Sequence, residues 1–148
     1  MTTSTRFVVA VHVLTALAVS GDKPLRSEDI AYSANTGAVV IRGLLSRLGA
    51  AGLTRSQMGA GGGALLAKLP QNIQLLEVYQ AVEDAELFLS HRTPPCDNCA
   101  VGGNILAAIQ PVLDRARHAL EQELARTTIA DMAAEVARLG KFSIPLTW

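Results

Sequence analysis

The residues best suited to chemistry are two cysteines, Cys96 and Cys99, which form a C-x-x-C pair in a proline-flanked loop. Such a pair can supply half of a zinc site, two ligands of an iron–sulfur cluster, or a small redox disulfide. A tetrahedral metal site needs two further ligands. His91 is the only histidine in this segment, since His12 and His118 fall in predicted helices. The sequence therefore predicts no metal site.

The cysteine pair could instead act as a thiol switch, which requires no further ligand. Cys99 lies at the entrance to a predicted long helix, whose N–H groups would lower the pKa of its thiol and favour the reactive thiolate. Oxidation to a disulfide, within the loop or between two subunits, would then reorient that helix. The alternative is a structural, buried Cys99 beside an incidental, exposed Cys96. The effector and redox candidates are therefore Cys96, Cys99 and His91.

The charges of the chain are distributed unevenly between its two halves. Of the 148 residues, 49% are hydrophobic and 18% are charged, and the formal net charge is zero. Residues 1–70 carry seven basic and three acidic groups, whereas residues 71–148 carry six basic and ten acidic groups. A basic half beside an acidic half is expected of a DNA-binding domain joined to a part that does not contact DNA.

Residues 27–67 predict two short helices, a tight turn between them and a β-hairpin. Ser27 is the expected N-cap of the first helix, and Asn35 or Thr36 that of the second. Gly52 is expected just after the end of the second helix. The apolar positions of the two helices are Ile30, Ala31 and Ala34 in the first and Ile41, Leu44, Leu45 and Leu48 in the second. This succession is the outline of a winged helix-turn-helix.

The hairpin is predicted to pair strands at residues 53–56 and 64–67 around a glycine tip at residues 59–63. The tip is a poor nucleotide-binding loop because no Lys-Ser/Thr pair follows it. Neither a nucleophile–base pair nor paired carboxylates occur in a coherent setting, so no enzyme is predicted. The fold class is mainly α with a small β wing.

The exposed face of the second short helix is suited to reading DNA. Its side chains are small apart from one arginine, so the helix can approach base edges closely. Val39, Arg42 and Ser46 are expected in the major groove, with other basic side chains on phosphates. The full set of predicted DNA-binding residues is Ser27, Thr36, Ala38, Val39, Arg42, Ser46, Arg47, Arg55, Gln57, Gly59, Gly61 and Lys68.

Four further helices and one short apolar segment complete the prediction. The first helix is expected over residues 3–19, as a packed helix rather than a secretory signal, because its apolar residues keep helical spacing. Residues 87–89 are expected to form a short buried segment. The remaining helices are predicted over residues 73–83, 103–126 and 128–139, the last capped by Gly140.

The helix at residues 103–126 is longer than one small winged domain needs, at about 36 Å. Pro111 is expected to kink it or to mark its restart. Its apolar stripe is predicted to form a dimer interface, with packing back on its own chain as the alternative. The stripe consists of Ile105, Ile109, Val112, Leu113, Ala116, Leu120 and Leu124. The predicted division is a winged domain at 1–70, a connecting helix and cysteine loop at 71–100, and the long and final helices at 101–148.

Three stretches of the chain resemble the Rrf-two (Rrf2) family of bacterial transcription regulators. They are LRSEDIAYSANTGAVVIRGLLSRLGAAGLTRS, MGAGGGALLAKLP and NIQLLEVYQAVE. The segments CAVGGNI and TTIADM are similar to the YwnA-type branch in particular. The resemblance implies a homodimer that binds a palindromic operator in double-stranded DNA, usually as a repressor, with its long helices crossing at the interface. A winged-helix module for protein contacts, without specific DNA binding, is the alternative.

This sequence departs from the family pattern at two places. Many members place an arginine before the first wing glycine, where this chain has Met58 preceded by Gln57. Minor-groove reading by arginine is therefore in doubt, and Arg55 or Gln57 would have to replace it. Cluster-binding members carry three cysteines where this chain has two, so no cofactor is predicted. With no disulfide framework, the cytoplasm is the expected compartment and no membrane partner is expected.

Overall fold

A computed structural model describes residues 4–84 and 86–146 of the chain. Six α-helices and one antiparallel hairpin follow each other in a mainly α architecture, which confirms the predicted fold class. The elements are α1 Arg6–Ser20, α2 Ser27–Ala34, α3 Ala38–Ala50, β1 Thr54–Gln57, β2 Gly63–Leu66, a 3-10 turn Pro70–Asn72, α4 Leu75–Val82, α5 Ile105–Arg126 and α6 Ile129–Gly140. Within the described ranges, no helix is both long and apolar enough to cross a membrane.

Helix α1 is the centre of the hydrophobic core. All of its residues from Ala10 to Ser20 except His12 are buried, and α6, α4, α2 and β2 pack around it. Burying one such leucine or valine side chain contributes about 1.5–3 kcal/mol. The fully buried large side chains include Leu14, Leu17, Ile30, Ile41, Leu48, Ile73, Val78, Val82 and Ile129. The winged domain therefore shares one core with helices α4 and α6.

Helix α3 follows the predicted pattern closely. Ile41, Leu44 and Leu48 are buried, and Leu45 is half-buried against the same core. The helix ends where expected, because Gly52 takes a φ of 77° after the last turn. The Gly52 N–H donates to the carbonyl of Gly49, and the next N–H donates to the carbonyl of Leu48, which is the pattern of a Schellman motif.

The predicted N-caps of α2 and α3 are wrong. Arg26, not Ser27, caps α2, because its extended backbone is fixed by the two hydrogen bonds that join Leu25 to Ala64 of the wing. Ser27 is consequently the first helical residue. Gly37 caps α3, because Asn35 takes the left-handed conformation that ends α2. A residue in that conformation cannot also adopt the extended backbone of an N-cap.

The wing is a hairpin of two four-residue strands, each displaced by one residue from its predicted position. Thr54 pairs with Leu66 and Gln57 pairs with Gly63. Gly63 has a φ of 154°, and a Cβ built there would lie 2.5 Å from the carbonyl oxygen of Leu25. Only glycine fits this approach of β2 to the strand-like segment before α2. The wing is therefore attached to the helix-turn-helix through its backbone.

The chain between α4 and α5 is exposed, contrary to the predicted buried segment. Leu87, Phe88 and Leu89 are 43%, 45% and 80% exposed. They lie outside the core, which the chain leaves after Val82, and they line an open groove with α5. Helix α5 is continuous through Pro111, so the proline does not mark a restart. None of the 22 residues of α5 is buried.

Helix α6 returns the chain to the core. Its start is fixed by a capping box in which Thr128 accepts the N–H of Asp131 and the Asp131 carboxylate accepts the N–H of Thr128. Its C-cap is Lys141 in a left-handed conformation, not the predicted Gly140. Gly140 lies within the last turn, where a Cβ would be 2.8 Å from the ring of Phe142. The ring, rather than a need for positive φ, explains this glycine.

Candidate nucleic-acid interface

A shallow polar groove of about 400 Å³ lies where α2, α3 and the wing meet. It brings together four of the predicted DNA-binding residues, which come from three separate elements. These are Ser27, Arg42, Ser46 and Arg55. Two guanidinium groups and two hydroxyl groups in one groove are donors suited to phosphate oxygens and base edges.

Arg42 is held in this groove by a residue that the sequence analysis did not identify. Its Nη2 donates a hydrogen bond of 2.6 Å to Oε1 of Glu28 on α2. Both side chains remain more than half exposed. The pKa of the Glu28 carboxyl is lowered, first by a hydrogen bond from its own backbone N–H and then by the one from Arg42. Only the folded arrangement of α2 and α3 reveals this pair, because 14 residues separate its members.

The start of α3 presents apolar rather than charged groups. Val39 is 78% exposed, whereas Ala38 and Thr36 are half-buried at the turn. An exposed valine is suited to the methyl group of thymine. Tyr32 on α2 is 90% exposed and was missed by the sequence analysis. The signal was an aromatic residue outside the apolar face of its helix, and its hydroxyl is a group that commonly contacts phosphate.

The structure does not bring Arg47 or Lys68 into the groove. Arg47 donates two hydrogen bonds to Asp84, of 2.8 and 2.9 Å, and one of 3.3 Å to the carbonyl of Val82. Lys68 donates one of 2.8 Å to Glu77 on α4. Both cations are neutralised by carboxylates at α4 or just beyond its end. Their predicted role on phosphates therefore has no support from the geometry.

The tip of the wing offers backbone groups instead of a cation. Gln57 and Met58 are exposed, the latter by 88%. Gly59 and Gly61 take φ values of 92° and 75°, which suit glycine. Arg55, exposed on β1 beside the groove, is the basic side chain that the described wing contributes.

The cysteine loop holds two exposed, unlinked thiols. Exposure of Cys99 contradicts the alternative of a buried, structural residue. Its Sγ accepts the N–H of Gly102 at 3.1 Å, and the N–H groups of Gly102 and Val101 lower the pKa of the thiol. These donors belong to the turn before α5 rather than to α5 itself. The neighbouring Cys96 side chain makes a smaller contribution to the lowered pKa of the Cys99 thiol.

His91 does not join the cysteines. It lines a separate groove between residues 86–91 and α5. Among the described residues, no group of three or more His, Cys, Asp or Glu side chains could hold a metal ion. The loop thus groups Cys96 and Cys99 without His91.

Two packed helices with an exposed second helix and an adjoining hairpin define a winged helix-turn-helix, a class of DNA-binding protein. Within this class, the chain belongs to the Rrf2 family, whose description is "Iron-dependent Transcriptional regulator" and whose sequence model matches residues 3–135. The protein is therefore a DNA-binding transcription regulator rather than an enzyme.

Individual relatives agree with this assignment. The chain is 39% identical over 130 residues to YwnA of Bacillus subtilis strain 168, a candidate HTH-type transcriptional regulator, covering 87% of this chain and 95% of YwnA. A crystal structure of a candidate DNA-binding protein is 37% identical, with a TM-score of 0.69 over 86% of this chain and 98% of that one. A candidate regulator from Lactobacillus plantarum is 25% identical, with a TM-score of 0.75 over 91% of each chain.

The family description names iron, and the donor set of this chain does not fit an iron–sulfur cluster held within one subunit. Such clusters take four ligands, mostly cysteine thiolates. This chain has two cysteines, and His91 lies in a different groove from both.

Proposed function

We propose that this protein is a homodimeric repressor that binds a palindromic operator through α3 and the wing, and that Cys99 and Cys96 make its binding sensitive to oxidants. The observation that carries the DNA-binding part is the groove that joins Ser27, Arg42, Ser46 and Arg55. It collects donors from three separate elements on the exposed side of α3. A repressor acts by occupying its operator, so tight, selective binding is the property to test.

The side chains around the groove suit different parts of a DNA duplex. Arg42 has donors that suit a guanine edge, and the Val39 methyl groups suit thymine. The Ser46 hydroxyl can donate or accept at a base or a phosphate. Arg55, on the wing strand, suits the phosphate backbone beside the major groove. One such groove carries few charges, so two copies acting together would supply the affinity.

The partner in the proposed dimer is a second copy of α5. This helix is about 33 Å long and leaves apolar side chains in solvent. Val112 is 50% exposed and Ile109 40% exposed, while Ile105, Leu113, Leu120 and Leu124 are half-buried. Pairing two such helices would remove this surface from water. A two-fold dimer would place its α3 helices one helical turn of DNA apart, or a multiple of it, which a palindrome matches.

Binding to the DNA upstream of the protein's own coding sequence tests the proposal. Fluorescence anisotropy with wild type and Arg42→Ala measures affinity for that duplex and for single-base variants. We expect Arg42→Ala to weaken specific binding by about 1–3 kcal/mol and to relax preference at one position. Arg138→Ala, which removes an arginine paired with Glu135 on α6, is the matched control. Unchanged affinity and preference in Arg42→Ala would refute this use of α3.

The proposed oxidant response begins at Cys99. Its thiolate attacks peroxide, one oxygen is transferred to sulfur, and hydroxide leaves and is protonated to water. The Cys96 thiol then attacks the sulfenic acid of Cys99, forming the disulfide and releasing a second water. Two thiols are oxidised and one peroxide is reduced. The exposure of both thiols, separated by two residues in one loop and close enough for Cys96 to lower the pKa of Cys99, supports closure within that loop.

We further propose that the protein works without a bound cofactor. An ultraviolet–visible spectrum of anaerobically purified protein, with a thiol count before and after peroxide, tests both statements. We expect colourless protein that loses two thiols reversibly on oxidation. A brown protein would contradict cofactor-free function, and two thiols that survive peroxide would contradict the switch.

A further inference from the structure

The geometry around Arg42 points to a specificity-determining role for Glu28. We propose that Glu28 positions the Arg42 guanidinium for base reading and penalises binding to DNA that lacks the matching base. This inference rests on the proposed use of α3 as the reading helix. It goes further because Glu28, on α2, is not among the residues predicted to contact DNA.

The ion pair restrains the orientation of the Arg42 guanidinium. Nη2 of Arg42 donates one N–H to Oε1 of Glu28, while Nε, Nη1 and the second N–H of Nη2 have no partner among the described residues. That second N–H shares a free edge of the guanidinium with Nε or Nη1. Reading guanine requires two coplanar donors from the same guanidinium. A guanidinium already held in one orientation loses less conformational freedom on forming those bonds. Glu28 would thus favour the bidentate contact over looser, unselective ones.

The negative charge of Glu28 has a second effect on binding. Its side chain is 58% exposed beside the groove, so its carboxylate would lie close to DNA phosphates and repel them. At the correct site, Arg42 reads the base while it remains paired with Glu28, so the carboxylate stays neutralised. A non-specific complex that draws Arg42 to a phosphate leaves the Glu28 carboxylate unpaired beside the DNA, and the repulsion is larger. A carboxylate at this position therefore raises selectivity by weakening non-specific binding more than specific binding.

The neighbouring residue provides a matched control. Asp29 follows Glu28 in the same turn of α2, carries the same charge, and pairs with Arg26 instead of Arg42. Asp29→Asn therefore removes one negative charge at almost the same place without releasing Arg42. Glu28→Gln removes both the charge and the ion pair, while Glu28→Asp keeps the charge but shortens the reach to Arg42.

The experiment measures dissociation constants of the full-length protein for its upstream operator and for a scrambled duplex of equal length, at one salt concentration. The selectivity is the dissociation constant for the scrambled duplex divided by the dissociation constant for the operator. We expect Glu28→Gln to lower this ratio at least about fivefold, partly through tighter binding to scrambled DNA. Asp29→Asn should change it less than about twofold, a general charge effect. Glu28→Asp should lower the ratio without tightening binding to scrambled DNA.

Arg42→Ala separates failure of this inference from failure of the proposed function. In an Arg42→Ala background, Glu28→Gln should not lower the ratio further. If Arg42→Ala lowers the ratio but Glu28→Gln matches Asp29→Asn, the positioning role of Glu28 is refuted and α3 remains the reader. If Arg42→Ala itself leaves the ratio unchanged, the proposed reading by α3 is refuted together with this inference. Thermal unfolding of each variant controls for loss of fold.

Discussion

Arg47 on α3 and Asp84 just beyond α4 form a two-bond ion pair, with N–O distances of 2.8 and 2.9 Å. Arg6 of α1 adds a third bond to the same carboxylate, at 3.1 Å. The hydrogen bonds from Arg47 are the main reason that the pKa of Asp84 is lowered. One carboxylate thus joins α1 and α3 at the point where the chain leaves the core towards the cysteine loop.

Because Arg47 is paired with Asp84, it should differ from Arg55 in its contribution to DNA binding. We expect Arg47→Ala to leave the salt dependence of operator binding unchanged, because its guanidinium is already neutralised by Asp84. Arg55→Ala should reduce the slope of log K against log salt concentration by about one, since Arg55 lies beside the groove. The measurement is binding across a series of salt concentrations. A reduced slope in Arg47→Ala would show that the ion pair opens to contact phosphate.

The wing depends on a glycine that approaches α2. We expect Gly63→Ala to destabilise the fold by about 1–3 kcal/mol, because φ is 154° and a Cβ would press on the Leu25 carbonyl. Gly43→Ala in α3 is the matched control: a Cβ there meets nothing within 4 Å. It should stabilise the helix by about 0.5–1 kcal/mol. Urea unfolding measures the free energy of unfolding of both variants. If both substitutions changed it equally and in the same direction, this account would be contradicted.

The open face of α5 should determine the oligomeric state. We expect Val112→Glu to yield a monomer, because burying a charge in the proposed helix pair is strongly unfavourable. Ala107→Glu introduces the same group away from the apolar stripe and should leave the dimer intact. Sedimentation equilibrium distinguishes the 15.6 kDa chain from its dimer. A dimer that survives Val112→Glu would place the interface elsewhere.

The Cys99 thiol should react at a lower pH than an ordinary thiol. Because N–H groups of the following turn lower its pKa, the thiolate form persists below the usual range around 8.5. We expect the alkylation rate of Cys99 by iodoacetamide, measured by mass spectrometry in Cys96→Ser, to rise with a midpoint below that of a free cysteine peptide. A midpoint at or above the peptide value would remove the basis for a reactive Cys99.

Much of the site was predictable because its residues are set by local pattern. Spacing of three and four assigned Ile41, Leu44 and Leu48 to the core face of α3, and the same periodicity left Arg42 and Ser46 on the exposed face. Gly52 ended the helix because that position has a positive φ, which glycine adopts without strain. The one-residue error at the start of α2 arose where Leu25 pairs with Ala64, a contact that sequence neighbours do not reveal.

The partners of the charged groups were not predictable. Glu28 lies 14 residues before Arg42, and Asp84 lies 37 residues after Arg47. An isolated arginine gives no sign of which carboxylate will neutralise it. Residue pattern alone consequently puts Arg42 and Arg47 in the same predicted DNA-binding set, although the fold directs Arg42 into the groove and Arg47 towards α4.

The sequence by itself determined the helices, the hairpin and the thiol pair, because periodicity, glycine placement and residue type act over one or two turns of chain. Only the tertiary structure decided that α6 returns to pack on α1, that α5 remains uncovered, and that Glu28 meets Arg42. These relationships depend on the path of the whole chain. They arise because burying α1 requires side chains from α4 and α6, and that shared core fixes which charges can meet at its edges.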